Sequence, residues 1–74
     1  MTTADRATLI LAVVPRLRRD KWENEDMEYT YRGGMLYAGP ECSRVGNFDT
    51  LDDALTFLKR EMRATIMATG EVDA

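Results

Sequence analysis

The chain has 74 residues, of which 45% are hydrophobic and 31% charged, with a net charge of −3 and no histidine. A chain of that length is read as a single small domain, residues 1–74, whose core is limited because such a domain buries only about 60% of the surface its unfolded chain exposes. The lack of histidine removes Ser-His and Cys-His pairs and imidazole acid–base chemistry, and Cys42 alone cannot build a zinc site; the composition therefore points away from an enzyme and from any metal or cofactor.

Residues 2–21 are expected to form a first helix. Thr2 and Thr3 offer caps, Thr2 with Asp5 makes a capping box, and Ala7, Ile10, Leu11, Val14 and Leu17 share one helical face. Pro15 would kink or restart that helix. The alternative is that Thr8–Val14, apolar and β-branched toward its end, is a buried strand. The longest apolar run, Leu9–Val14, is far shorter than the roughly 20 residues of a membrane span. Asp5 and Arg6 precede it and no small-residue cleavage site follows, so no signal peptide is read. The single cysteine fits a reducing compartment, and the expected location is cytoplasmic.

Arg16, Arg18, Arg19 and Lys21 form a basic stretch, and Glu23, Glu25, Asp26 and Glu28 an acidic one, with Trp22 between, expected to pack its ring over the core edge or, as the alternative, to anchor an interface. From Met27 to Arg32 the chain alternates as a half-buried strand does, and Gly33-Gly34 reads as a two-residue hairpin turn. That turn pairs Arg32 with Met35, Tyr31 with Leu36, Thr30 with Tyr37 and Tyr29 with Ala38. Met27, Tyr29, Tyr31, Leu36 and Ala38 then face inward, and Glu28, Thr30, Arg32, Met35 and Tyr37 outward. A third strand is expected over Cys42–Phe48, with Gly46 at a bulge and Cys42 a small strand residue.

The strongest helical signal runs from Phe48 to Thr69, before Gly70. Thr50 and Asp53 make a capping box, and Leu51, Leu55, Leu58, Met62 and Ile66 form one stripe. A helix over Thr50–Thr69 would be about 30 Å long and overhang the sheet. Its last turns carry Met62, Ile66 and Met67; either the first helix covers Met62 and Ile66, or all three pack in a symmetric homodimer. Glu71–Ala74 reads as a short polar tail.

The expected fold is therefore α+β: two layers in the order α-β-β-β-α, with a small antiparallel three-stranded sheet and two helices packed on one face. This order and size resemble those of double-stranded-RNA-binding domains, whose last helix opens with phosphate-binding lysines. Here that position holds Asp49, Thr50, Leu51, Asp52 and Asp53, which have the opposite sign. The corner Asn47–Ala54 also resembles that of small DNA-binding arms built from three strands and a helix. Neither resemblance places the chain in a family.

The expected function is a non-enzymatic protein-binding module. Its contact residues would be Trp22, Glu23, Glu25, Asp26, Glu28, Met35 and Tyr37, because aromatic and methionine side chains rimmed by charge suit interfaces. In size and acidity the chain resembles phage and prophage inhibitors of host machinery, anti-CRISPR proteins among them. That resemblance implies an acidic surface entering a basic, nucleic-acid-binding channel on a protein partner. The alternative is a nucleic-acid-binding domain using Arg16, Arg18, Arg19 and Lys21, which the net negative charge disfavours.

Overall fold

In a computed structural model, which describes residues 6–72, the chain runs β1 (Ala7–Arg18), β2 (Lys21–Arg32), β3 (Met35–Ala38), β4 (Ser43–Asn47), α1 (Leu51–Glu61) and β5 (Thr65–Val72). The five strands make one antiparallel sheet in the order β4-β3-β2-β1-β5. This overturns the three-stranded sheet with two helices, and with it the likeness in order to double-stranded-RNA-binding domains. The caps expected at Thr2, Thr3 and Asp5 lie outside the described residues, as do Asp73 and Ala74 of the expected tail. Glu71 and Val72 belong to β5.

The first helix is replaced by β1, the alternative reading of Thr8–Val14. A run that is apolar at almost every position satisfies a helical stripe and a strand equally, so periodicity could not choose between them. The β-branched residues Thr8, Ile10, Val13 and Val14 favour a strand. Two neighbours complete the choice: β1 pairs with β2 from Thr8 to Arg18 and with β5 from Ala7 to Val13. Pro15 lies past the end of β5, where β1 has a neighbour on one side only, the edge position a proline tolerates. The β1–β2 turn has no glycine. Arg19 and Asp20 both take positive φ, 50° and 65°, as a tight two-residue hairpin turn requires.

The β2–β3 hairpin forms in the expected register, from Arg32 with Met35 to Tyr29 with Ala38. Gly33 and Gly34 supply φ of 58° and 80°. Tyr29 and Leu36 are buried on the side facing α1, while Glu28 and Arg32 are exposed. β4 pairs with β3 across an irregularity next to Gly46. Cys42 precedes the strand, exposed and at φ 53°, so it is a turn residue and not a strand residue.

Thr50 caps α1 as expected, its Oγ1 accepting from the Asp53 N–H at 3.1 Å. The helix then ends far earlier than expected. Met62 is its C-cap, Arg63 turns left-handed at φ 54°, and the Ala64 N–H donates to the Leu58 carbonyl at 3.0 Å. Thr65–Val72 become β5, with Ile66 opposite Ala12. Met62 and Ile66 do satisfy a helical stripe, but pairing with β1 more than 50 residues earlier is invisible to a local pattern. No helical overhang exists, so the geometric basis for a homodimer through Met62, Ile66 and Met67 is removed.

α1 carries the chain across one face, from β4 at one edge of the sheet to β5 at the other. Ala54 and Leu58 meet Ile10, Ala12, Val14, Tyr29, Leu36 and Ala64 in the core. Phe48 packs on Phe57 with ring centroids 5.2 Å apart, and its carbonyl accepts from the Tyr31 hydroxyl at 2.7 Å. An 11-residue helix is only about 16 Å long, whereas 12-residue strands reach about 40 Å. The outer half of the β1–β2 hairpin therefore projects as an arm.

Two outcomes test this arrangement. Leu58→Ala should cost about 2 to 5 kcal/mol in urea denaturation, a large share of the roughly 4 to 11 kcal/mol available to a chain of this length. Replacing the β1–β2 turn by Asn-Gly (Arg19→Asn with Asp20→Gly) should raise stability by about 1 kcal/mol, because both positions take positive φ. A loss of stability in the turn variant would show that Arg19 or Asp20 makes a compensating contact.

Candidate functional site

Strand alternation divides the sheet into a face under α1 and an open face. β2 follows the usual amphipathic rule, but β1 does not. Ile10, Ala12 and Val14 point toward α1 and are buried, while Leu9, Leu11, Val13, Pro15 and Leu17 line the open face. The large hydrophobic side chains most exposed among the described residues are Leu11 at 41%, Leu17 at 58%, Trp22 at 66%, Met67 at 62% and Val72 at 44%. They converge on this face or on the arm that extends it. One groove is bounded by Leu11, Met67, Asp26 and Glu28. A second, on the other side of Leu11, is lined by Leu9, Ala68, Gly70 and Val72. Trp22 sits opposite Leu17 and shares a recess with Pro15, Arg16 and the end of α1.

The expected partner-binding residues do not form one patch. Trp22, Asp26, Glu28, Met35 and Tyr37 belong to the open face by alternation, with Met35 and Tyr37 half-buried. Glu23 and Glu25 belong to the opposite face. Glu25 is also engaged there, 2.9 Å from Arg18 Nη2 and 3.8 Å from Arg16 Nε. Asp26 and Glu28 have no ion pair among the described residues. The basic stretch divides too: Arg16 and Arg18 are drawn to Glu25, while Arg18, Arg19 and Lys21 line a recess with Glu23 at the arm tip. Of the three expected dimer residues, Met62 and Ile66 pack against their own core, and Met67 is exposed on β5.

Sequence reasoning missed Leu9, Leu11, Val13, Leu17, Ala68, Gly70 and Val72. A signal for the β1 residues was present, because a strand apolar at nearly every position has two faces to cover. No local signal marked the β5 residues, which join this face only through long-range pairing.

Among the described residues no group of three or more potential metal-ligating side chains stands together. The one clearly perturbed titratable group among the described residues is Tyr29, in the core. Burial raises its phenol above the ordinary value of 10.0, the Arg16 charge lowers it and the Glu25 charge raises it. Its hydroxyl has no hydrogen-bond partner, nor has the buried Arg16 Nε. No protein-family profile matches the chain, and neither does a curated protein or a solved structure.

The raised Tyr29 pKa means that the folded state holds the phenolic proton more tightly than the unfolded chain. That contribution is complete below about pH 10 and is lost as pH rises through the folded-state value. Tyr29→Phe should therefore flatten the fall in urea midpoint above pH 10. At neutral pH it should change stability by less than about 1 kcal/mol, because the hydroxyl it removes is unpaired. A large loss at neutral pH would mean that the hydroxyl is satisfied in solution.

Proposed function

We propose that the protein is a non-enzymatic protein-binding module that docks its partner on the open face of the sheet. The observation that carries this reading is the apolar row of β1, Leu9, Leu11, Val13, Pro15 and Leu17, on a face that α1 does not cover. Contiguous exposed apolar surface of this kind marks interaction sites.

Imitation of a nucleic acid by the acidic stretch finds less support in the geometry. It calls for carboxylates arrayed on one surface, whereas Glu23 and Glu25 lie opposite Asp26 and Glu28, and Glu25 already holds two arginines. The open-face reading needs no such array.

Affinity capture from nuclease-treated lysate, compared across variants, tests the assignment. Leu11→Gln with Met67→Gln, both at exposed positions, should leave the fold intact by circular dichroism and remove the captured protein. Arg18→Glu with Arg19→Glu at the arm tip should leave capture unchanged. Loss of binding on nuclease treatment or with the arginine variant, but not with the Leu11 and Met67 variant, would replace this reading by nucleic-acid binding through the arm.

A further inference from the structure

The open face carries more information than its hydrophobicity, because the charges flanking its leucine row are one-sided, while Arg32 and Arg44 lie on the same face farther off, toward the β2–β3 turn and β4. Asp26 and Glu28 stand on β2 beside Leu11, and they have no ion pair among the described residues. On the β5 side of the same leucine row the residues are uncharged: Thr65, Ala68 and Gly70 pair with Val13, Leu11 and Leu9, and Met67, at the irregularity between Ile66 and Ala68, walls the groove beside Leu11. The result is an apolar trough with two free carboxylates along one bank.

We infer that this trough receives an amphipathic helix of a partner protein, with lysine or arginine residues along one flank of its apolar stripe. The inference rests on the open face being the docking surface. A helix is about 10 Å across, and strands lie about 4.8 Å apart, so one helix bridges β1 and β5. Its apolar stripe would cover Leu9, Leu11 and Val13 over the low floor of Ala68 and Gly70. Its cations would meet Asp26 and Glu28. α1 already does the apolar part of this on the opposite face, where Ala54 and Leu58 meet Ile10, Ala12 and Val14. A partner helix would make β1 the middle of three layers, which suits a strand apolar on both faces.

Charge is what selects this occupant over a second copy of the chain. Stacking two open faces about Leu11 with β2 over β2 sets Glu28 on its own counterpart and Asp26 on Thr30, while Arg32 falls on Asn24. Stacking them with β2 over β5 sets both carboxylates on Thr65, Ala68 and Gly70, with no cation. Either arrangement desolvates charge without a partner, which is costly. A basic flank supplies the missing cations and also hastens encounter.

The probes are two synthetic helical peptides of about 18 residues, five turns. They share leucines at three- and four-residue spacing and differ in carrying flanking lysines or flanking glutamates. Fluorescence anisotropy should show the lysine peptide binding the wild-type protein, more weakly as salt rises. Asp26→Lys with Glu28→Lys should weaken that complex at least about tenfold and strengthen the glutamate peptide by a similar factor. Glu41→Lys with Glu61→Lys, the same charge change elsewhere, should alter either affinity by less than about threefold. Leu11→Gln with Met67→Gln should weaken both peptides. The inference is overturned if the lysine peptide fails to bind, or if both double-lysine variants weaken it equally. It is also overturned if sedimentation shows a wild-type dimer that the Leu11 and Met67 variant dissolves, since the face then belongs to a second copy. If the peptide fails while captured protein is still lost in that variant, the docking face stands and only its assigned ligand falls.

Discussion

β1 is held from both sides and is apolar on both faces, and most of the architecture follows from those two conditions. Its hydrogen bonds go to β2 along one edge and to β5 along the other, so its backbone is satisfied without forming a helix. Its inward residues Ile10, Ala12 and Val14 make the floor on which α1 lies. To reach the free edge of β1 after β4, the chain must cross the whole sheet. That crossing is what places α1 over the core and leaves the opposite face uncovered. A helix of 11 residues suffices for the crossing, and the remaining residues are left to pair as β5.

The same conditions give the two halves of the molecule different characters. Where β3 and β5 flank the central hairpin, side chains are buried and the register is pinned by Tyr29 and Leu36. Beyond Val14 and Glu25 the β1–β2 ribbon has neither neighbour, and its side chains are mostly exposed and charged. Arg16, Arg18 and Glu25 stabilise that ribbon across its strands, by the modest amount expected of partly exposed pairs. Local contacts in the ribbon thus occupy charges that, read along the chain, look available to a partner.

The candidate site illustrates why charge clusters in a sequence transfer poorly to surfaces. Glu23, Glu25, Asp26 and Glu28 are near neighbours in the chain, yet a strand sends alternate side chains to opposite faces. Only Asp26 and Glu28 share the open face. Leu11 and Met67 are 56 positions apart, yet bound one groove because β5 returns to β1.

Where short-range rules act alone, the sequence determined the outcome. Gly33 and Gly34 admit a tight turn, the alternation from Met27 to Arg32 assigns the faces, and Thr50 caps the helix through the Asp53 N–H. Each rests on a few adjacent residues whose preferences agree. Tertiary structure decided the rest at the places where two local patterns were equally satisfied. Ala7–Leu17 fits a helical stripe as well as a strand, and Met62–Ile66 fits another helical turn as well as a break. The two ambiguities resolve together, because β1 and β5 each provide the hydrogen-bonding edge the other needs. Neither segment carries that information by itself, and the open apolar face exists only once they have paired.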